Sequence, residues 1–183
     1  YYELPKGFSG DVELEIADAN GRLIRRLSSK EQKDFVAYDG GPSRAPRLSA
    51  NEGLNRFVWD TRHPIMPGVT HVYIEGSYNG HKVAPGEYQL RLKAADQTLT
   101  TKATIVANPL YDVSNDDYMA YDAIMSEMEA NLTQMHRTVN QLYKVRHQLK
   151  TITETLEGDL KEESEALIEA LTAWDNDMVQ HMS

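Results

Sequence analysis

Cysteine is absent from the 183 residues. Disulfides, zinc–thiolate sites, iron–sulfur clusters and a cysteine nucleophile are excluded with it. No apolar run approaches the ~18 residues that span a bilayer. No basic-then-apolar leader opens the sequence. Proline is confined, with all seven residues before position 110. Positive charge is short as well: the net charge is −9. Nucleic acid is not an expected partner, because neutralising phosphates requires clustered Lys and Arg. The charge deficit is local. Residues 1–112 carry 14 basic and 14 acidic side chains, whereas residues 113–183 carry 5 and 14. Six of the seven methionines also lie in that second part. The shift predicts two domains, 1–110 and 111–183.

What is present in the first part reads as strands. Val12, Leu14 and Ile16 alternate with acids, a period of two that sends one face to a core and the other to water. Asn20-Gly21 is a hairpin signal, because both residues tolerate positive φ. The return strand, 22–27, is expected to turn Leu23 and Leu27 inward. A long polar loop over 28–52, with a short strand at 35–38, leads to a strand over 53–60. Further strands are expected at 71–78, at 83–94 and, after a tight turn at Asp96-Gln97, at 99–106 with Leu99, Ala103 and Ile105 inward. Tyr1 to Leu4 reads as an edge strand. Short strands with a turn signal every 8–12 residues are the pattern of an antiparallel β-sandwich.

The second part reads as helices. Ser114-x-x-Asp117 resembles a capping box. Tyr121, Met125, Met128, Leu132, Met135, Val139 and Leu142 then recur at spacings of 3 and 4, a heptad seam continued by Leu149 and Leu156. Glu157-Gly158-Asp159 breaks the pattern, and Leu160, Leu167, Leu171, Trp174 and Met178 resume it. We therefore expect helices over about 115–156 and 160–180, reversed at 157–159. Basic residues at 136–150 would then face acids at 154–177, with Lys150 near Glu165 and Arg146 near Glu169. The fold class expected is segregated α+β: an antiparallel Ig-like or fibronectin-like β-sandwich followed by a long antiparallel α-helical hairpin.

Three segments carry a family resemblance. Asp-Ala-Asn-Gly-Arg-Leu-Ile-Arg (18–25), Gly-Leu-Asn-Arg-Phe-Val-Trp-Asp (53–60) and Val-Ala-Pro-Gly-Glu-Tyr-Gln-Leu-Arg-Leu (83–92) follow in order. Together they resemble an Ig-like module related to that of the flagellar hook-capping protein. With Tyr-Tyr-Glu-Leu-Pro (1–5), Trp-Asp-Thr-Arg-His-Pro (59–64) and the helical tail through Thr-Ala-Trp-Asp-Asn-Asp-Met-Val-Gln (172–180), the chain looks most like one bacterial group. That group is the C-terminal region of sortilin-like, BNR-propeller proteins classed among glycosyl hydrolases. The resemblance implies a fragment of a larger periplasmic or secreted protein, with β-propeller domains upstream as its partners. It supplies no catalytic residue, so the expected role is a non-catalytic accessory, structural or protein-interaction module.

Individual residues offer alternatives. Asp60 and Glu75 are the best-placed acid pair for glycoside hydrolysis, which uses two carboxylates. Asp60 also suits a turn, accepting backbone hydrogen bonds. His63, His71 and His81, with Glu75, are zinc-type donors, but no HxH or HExxH spacing organises them; no metal or other cofactor is expected, and the histidines read as exposed loop residues. His136, His147 and His181 read as helix-surface residues. Ser43 and Ser49 lack a nucleophile elbow, and Gly40-Gly41 lacks the frame of a phosphate loop. Trp59, Tyr73 and Tyr78, with Tyr38, are the aromatics of an alternative carbohydrate-binding platform. Met119, Met125, Met128 and Met135 offer either an adaptable binding face or packing within the hairpin or between copies, which predicts self-association through the helical part.

Overall fold

The computed structural model describes residues 1–70, 72 and 76–179. The architecture is α+β: among the described residues there are two antiparallel sheets, six strands in all, and then two helices. β1 (Tyr2–Leu4) pairs with β4 (Gly53–Asn55) in a small sheet. β2 (Val12–Asp18), β3 (Leu23–Ser28), β5 (Gly86–Ala94) and β6 (Gln97–Ile105) form the larger sheet in the order β3-β2-β5-β6. Helix α1 spans Asn115–Thr153 and helix α2 spans Asp159–Met178. Among the described residues no helix is long and apolar enough to cross a membrane.

The apolar positions of β2 face the core as their alternation predicts, while Glu15 on the other face is also buried, paired with Arg26 and Lys93. Val12 and Ile16 are fully buried, and Leu4, Ile24, Leu27, Leu48, Val83 and Tyr88 complete the core around them. The β2–β3 hairpin closes through Asp18, whose backbone N–H bonds the Arg22 carbonyl, and Gly21 takes a left-handed φ of 82° that a side chain would disfavour. Two inward assignments are corrected. A bulge between Ile16 and Ala17 shifts the register, so Leu23 is 48% exposed and Ile24 is buried in its place. Leu99 is likewise exposed. β6 is an edge strand, and Leu99 has only Leu92 of β5 beside it in the sheet. The strand expected over 53–60 is regular only over Gly53–Asn55, and 35–38 is not a strand. His71, Tyr73, Ile74 and Glu75, within the strand expected over 71–78, lie outside the described residues.

The Ser114 capping box forms as predicted. The Asp117 N–H donates to Ser114 Oγ at 3.2 Å, and the Ser114 N–H donates back to the Asp117 carboxylate at 3.2 Å. That carboxyl sits below its ordinary pKa because Ser114 donates to it twice, from its hydroxyl and its backbone. The heptad seam is largely not buried: Tyr121, Met128 and Met135 are about half exposed, and of the predicted seam only Val139 is buried. Polar pairs join the helices instead. Thr153 and Ser164 share a hydroxyl–hydroxyl bond of 2.5 Å, and Arg146 Nη1 meets Asp175 Oδ2 at 2.8 Å. Arg146 was expected beside Glu169; its long side chain reaches almost two turns further along α2.

The chain divides into two compact units. One comprises 1–36, 43–65 and 79–128; the other comprises 37–42, 66–78 and 129–183, so α1 contributes to both.

Candidate functional site

The most concentrated polar chemistry lies in the first unit, around a carboxylate on α1. After β4 the chain turns at Asp60, whose Oδ1 accepts the Arg62 N–H at 3.2 Å and the buried Arg25 guanidinium at 2.7 Å. Thr61 takes a left-handed φ of 57° in this turn. Asp60 thus performs the turn-forming role that its sequence position suggests.

The turn sends residues 61–63 alongside 81–83. Arg62 bridges Lys82 in antiparallel fashion, the His63 N–H bonds the His81 carbonyl at 3.0 Å, and the Val83 N–H bonds the Thr61 carbonyl at 2.9 Å. His63 and His81 are therefore directly opposed, which places their side chains on one face. The imidazoles stack, with centroids 4.1 Å apart and planes within 14°. Gly80 permits the approach: a Cβ there would stand 2.6 Å from the His63 carbonyl carbon and oxygen.

Asp122, two turns into α1, receives both rings. His81 Nε2 lies 3.2 Å and His63 Nε2 3.4 Å from Asp122 Oδ1. A carboxylate only accepts, so the nitrogen facing it carries the hydrogen. The other carboxylate oxygen, Oδ2, takes Arg22 Nη2 at 2.8 Å. Arg22 is aimed by the hairpin: Asp18 Oδ1 accepts its N–H, and Asp18 Oδ2 accepts its Nε at 3.1 Å. Burial by itself would raise the Asp122 pKa. The hydrogen bonds from Arg22 and His81 and the nearby positive charge of Arg22 outweigh it and hold the carboxyl below its ordinary range. The Tyr121 and His81 rings stand nearly perpendicular, their centroids 5.9 Å apart. Asp122 and Arg22 also line a pocket of about 190 Å³ with Asp18, Asn115, Met119 and Tyr88.

The exposed-loop expectation for these histidines is corrected. The His81 side chain is 1% exposed and that of His63 is 11% exposed. The structure brings His63 and His81 together, while His71 and Glu75 lie outside the described residues. Asp122 is the residue that sequence reasoning missed. Its one signal was an acid standing next to seam position Tyr121, which alone identifies nothing.

The aromatics of the carbohydrate reading are placed as follows. Trp59 is partly buried in the first unit, donating its Nε1 to the Arg62 carbonyl and meeting Tyr88 edge-on at 5.7 Å. Tyr78 is buried in the second unit, edge-on to His136 at 6.0 Å. Tyr73 lies outside the described residues. His136 corrects a second expectation: it is buried, its Nδ1 2.7 Å from the Pro67 carbonyl oxygen, whereas His147 is exposed as predicted and His181 lies outside the described residues. Also in the second unit, an apolar pocket of about 530 Å³ is lined by Val69, Met135, Val139, Trp174 and Met178, among others.

No protein-family model, curated protein or solved structure matches the chain.

Proposed function

We propose that the chain is a non-catalytic accessory module: an Ig-like sandwich that carries a helical hairpin and serves a larger extracytoplasmic protein as a structural or protein-interaction part. The observation that carries this reading is the use made of the most chemically capable side chains. Arg22, His63 and His81 all converge on Asp122, and their bonds fasten the start of α1 to the strand body of the same unit. Such a set is a joint: its donors are spent on an internal acceptor and the imidazoles are out of the solvent.

Two further details favour the sandwich and hairpin. The Tyr88 hydroxyl donates to the Ala84 carbonyl at 2.6 Å, as a tyrosine at an Ig-fold corner donates to backbone a few residues upstream. The Thr153–Ser164 and Arg146–Asp175 bonds link positions that run in opposite directions along the two helices. The partners proposed are upstream β-propeller domains and, through the half-exposed Met119, Tyr121 and Met128, a second copy. The proposed location is periplasmic or extracellular.

Aryl glycosides offered to the purified chain test the reading. Wild type, Asp60→Asn and Asp122→Asn should all release aglycone at the rate of buffer. Turnover by wild type that either substitution abolishes would overturn the accessory reading.

A further inference from the structure

We propose that His63, His81 and Asp122 form a site for one divalent transition-metal ion of the zinc class, which would fasten the joint described above; this structural role rests on the accessory reading. One ligand atom from each residue lies within 4.8 Å of the others. The two nitrogen–oxygen separations, 3.2 and 3.4 Å, match the span of two ligands on one ion. Bonds of about 2.0–2.1 Å at a tetrahedral angle place such ligands roughly 3.3 Å apart. Two imidazoles with one carboxylate suit Zn²⁺, Co²⁺ or Ni²⁺, whereas Mg²⁺ and Ca²⁺ take oxygen donors. Arg22 occupies Oδ2 and leaves Oδ1 turned towards the rings, the orienting task of groups behind a metal ligand.

The stacking defines what loading requires. Two imidazoles within 14° of parallel, one above the other, cannot aim both in-plane lone pairs at one point. One ring must turn about its Cβ–Cγ bond, and both Nε2 atoms, which carry hydrogen toward Asp122, must exchange it for the metal, each hydrogen moving to Nδ1 of its own ring. His63 is the more exposed of the pair and is the ring with room to turn. A metal-loaded joint would therefore show unstacked histidines.

The test uses the full chain stripped with chelator and titrated with ZnCl₂ by calorimetry. The expected result is saturable binding of one ion per chain. Zn²⁺ at a hundredfold excess over Kd should raise Tm by about 5–10 °C. Co²⁺ should bind competitively and give the intense visible bands of low coordination. His63→Ala should abolish binding while circular dichroism shows the fold retained, and His147→Ala, on an exposed part of α1, should leave it intact. Asp122→Asn should also abolish it; the more exposed His63 keeps the test decisive if that variant unfolds. Absence of Zn²⁺ binding, binding undiminished by His63→Ala, or a preference for Mg²⁺ or Ca²⁺ would overturn the proposal. Each of those results would leave the accessory reading standing. Zn²⁺-dependent glycoside turnover lost in His63→Ala would do the reverse, supporting the site and refuting the accessory role.

Discussion

Asp122→Asn is the sharpest probe of the joint, because one atom is exchanged and the shape is kept. The carboxylate receives three donors: Arg22, His81 and His63. Their worth differs. The Arg22 side chain is 50% exposed, so solvent screens its pair and holds its share below ~1 kcal/mol. His81 is buried, and a hydrogen bond to a charged acceptor there contributes about 1.5–3 kcal/mol. The 3.4 Å contact of His63 adds less. In the variant one end of the amide is an NH₂, so either Arg22 or the imidazoles meet a donor where they had an acceptor. The expected loss is about 3 kcal/mol, a fall in Tm of roughly 6–12 °C for a chain of this size. The two tryptophans make the assay specific, since Trp59 lies in the unit that holds Asp122 and Trp174 in the other. Urea unfolding followed by fluorescence in a Trp174→Phe background, with chelator present, reads the relevant unit. A loss under about 1 kcal/mol in that transition would refute the view that these bonds hold helix to strands.

Gly80→Ala should cost about 1–3 kcal/mol in the same assay, because the new methyl meets His63 backbone rather than a side chain that can move aside; an unchanged midpoint would count against the close pairing of 61–63 with 81–83. Arg146→Met leaves the Asp175 carboxylate, 2% exposed, without its cation, and a loss of about 2–4 kcal/mol read from Trp174 fluorescence is expected; no loss would mean that the ion pair does not join the helices. Burial, helped by Tyr78, pushes the Tyr38 phenol up to about 12, and burial with the Asp175 charge does the same for Tyr143. A raised phenol pKa stabilises the fold fully below about pH 10, and stability falls as pH rises from there through 12, since only the unfolded chain ionises early. Ultraviolet titration should accordingly show a late-ionising fraction that shrinks in Tyr38→Phe, and titration of all tyrosines near 10 would contradict the burial.

The sequence was most legible where cause and effect lie close together. The inward apolar positions of β2, Gly21 in its turn, the Ser114–Asp117 box and the Asx turn at Asp60 are each decided within a few residues, and each formed. The site was illegible for the opposite reason. Asp122 meets Arg22 across 100 positions and His81 across 41. No local pattern encodes such a meeting, and the pairing of 61–63 with 81–83 shows no alternation to announce it. The heptad seam misled differently. Spacing reports that a helix has an apolar face but not that anything covers it, so Tyr121, Met128 and Met135 kept their period and stayed half exposed. Leu23 was misplaced by a single bulge, which reverses facing for everything beyond it.

β6 carries one more consequence. Nine residues rich in threonine present a rim of amide and carbonyl groups with no neighbour in the sheet. Only Lys102, tied to Glu87 at 2.7 Å, sets a charge along it. Such a rim is a template for any extended chain that drifts past, and one lysine is a thin guard against it. During refolding at high concentration this is where aggregates of the protein would be seeded, and the remedy would be a second charge at Thr100 or Thr104, whose side chains stand in solvent.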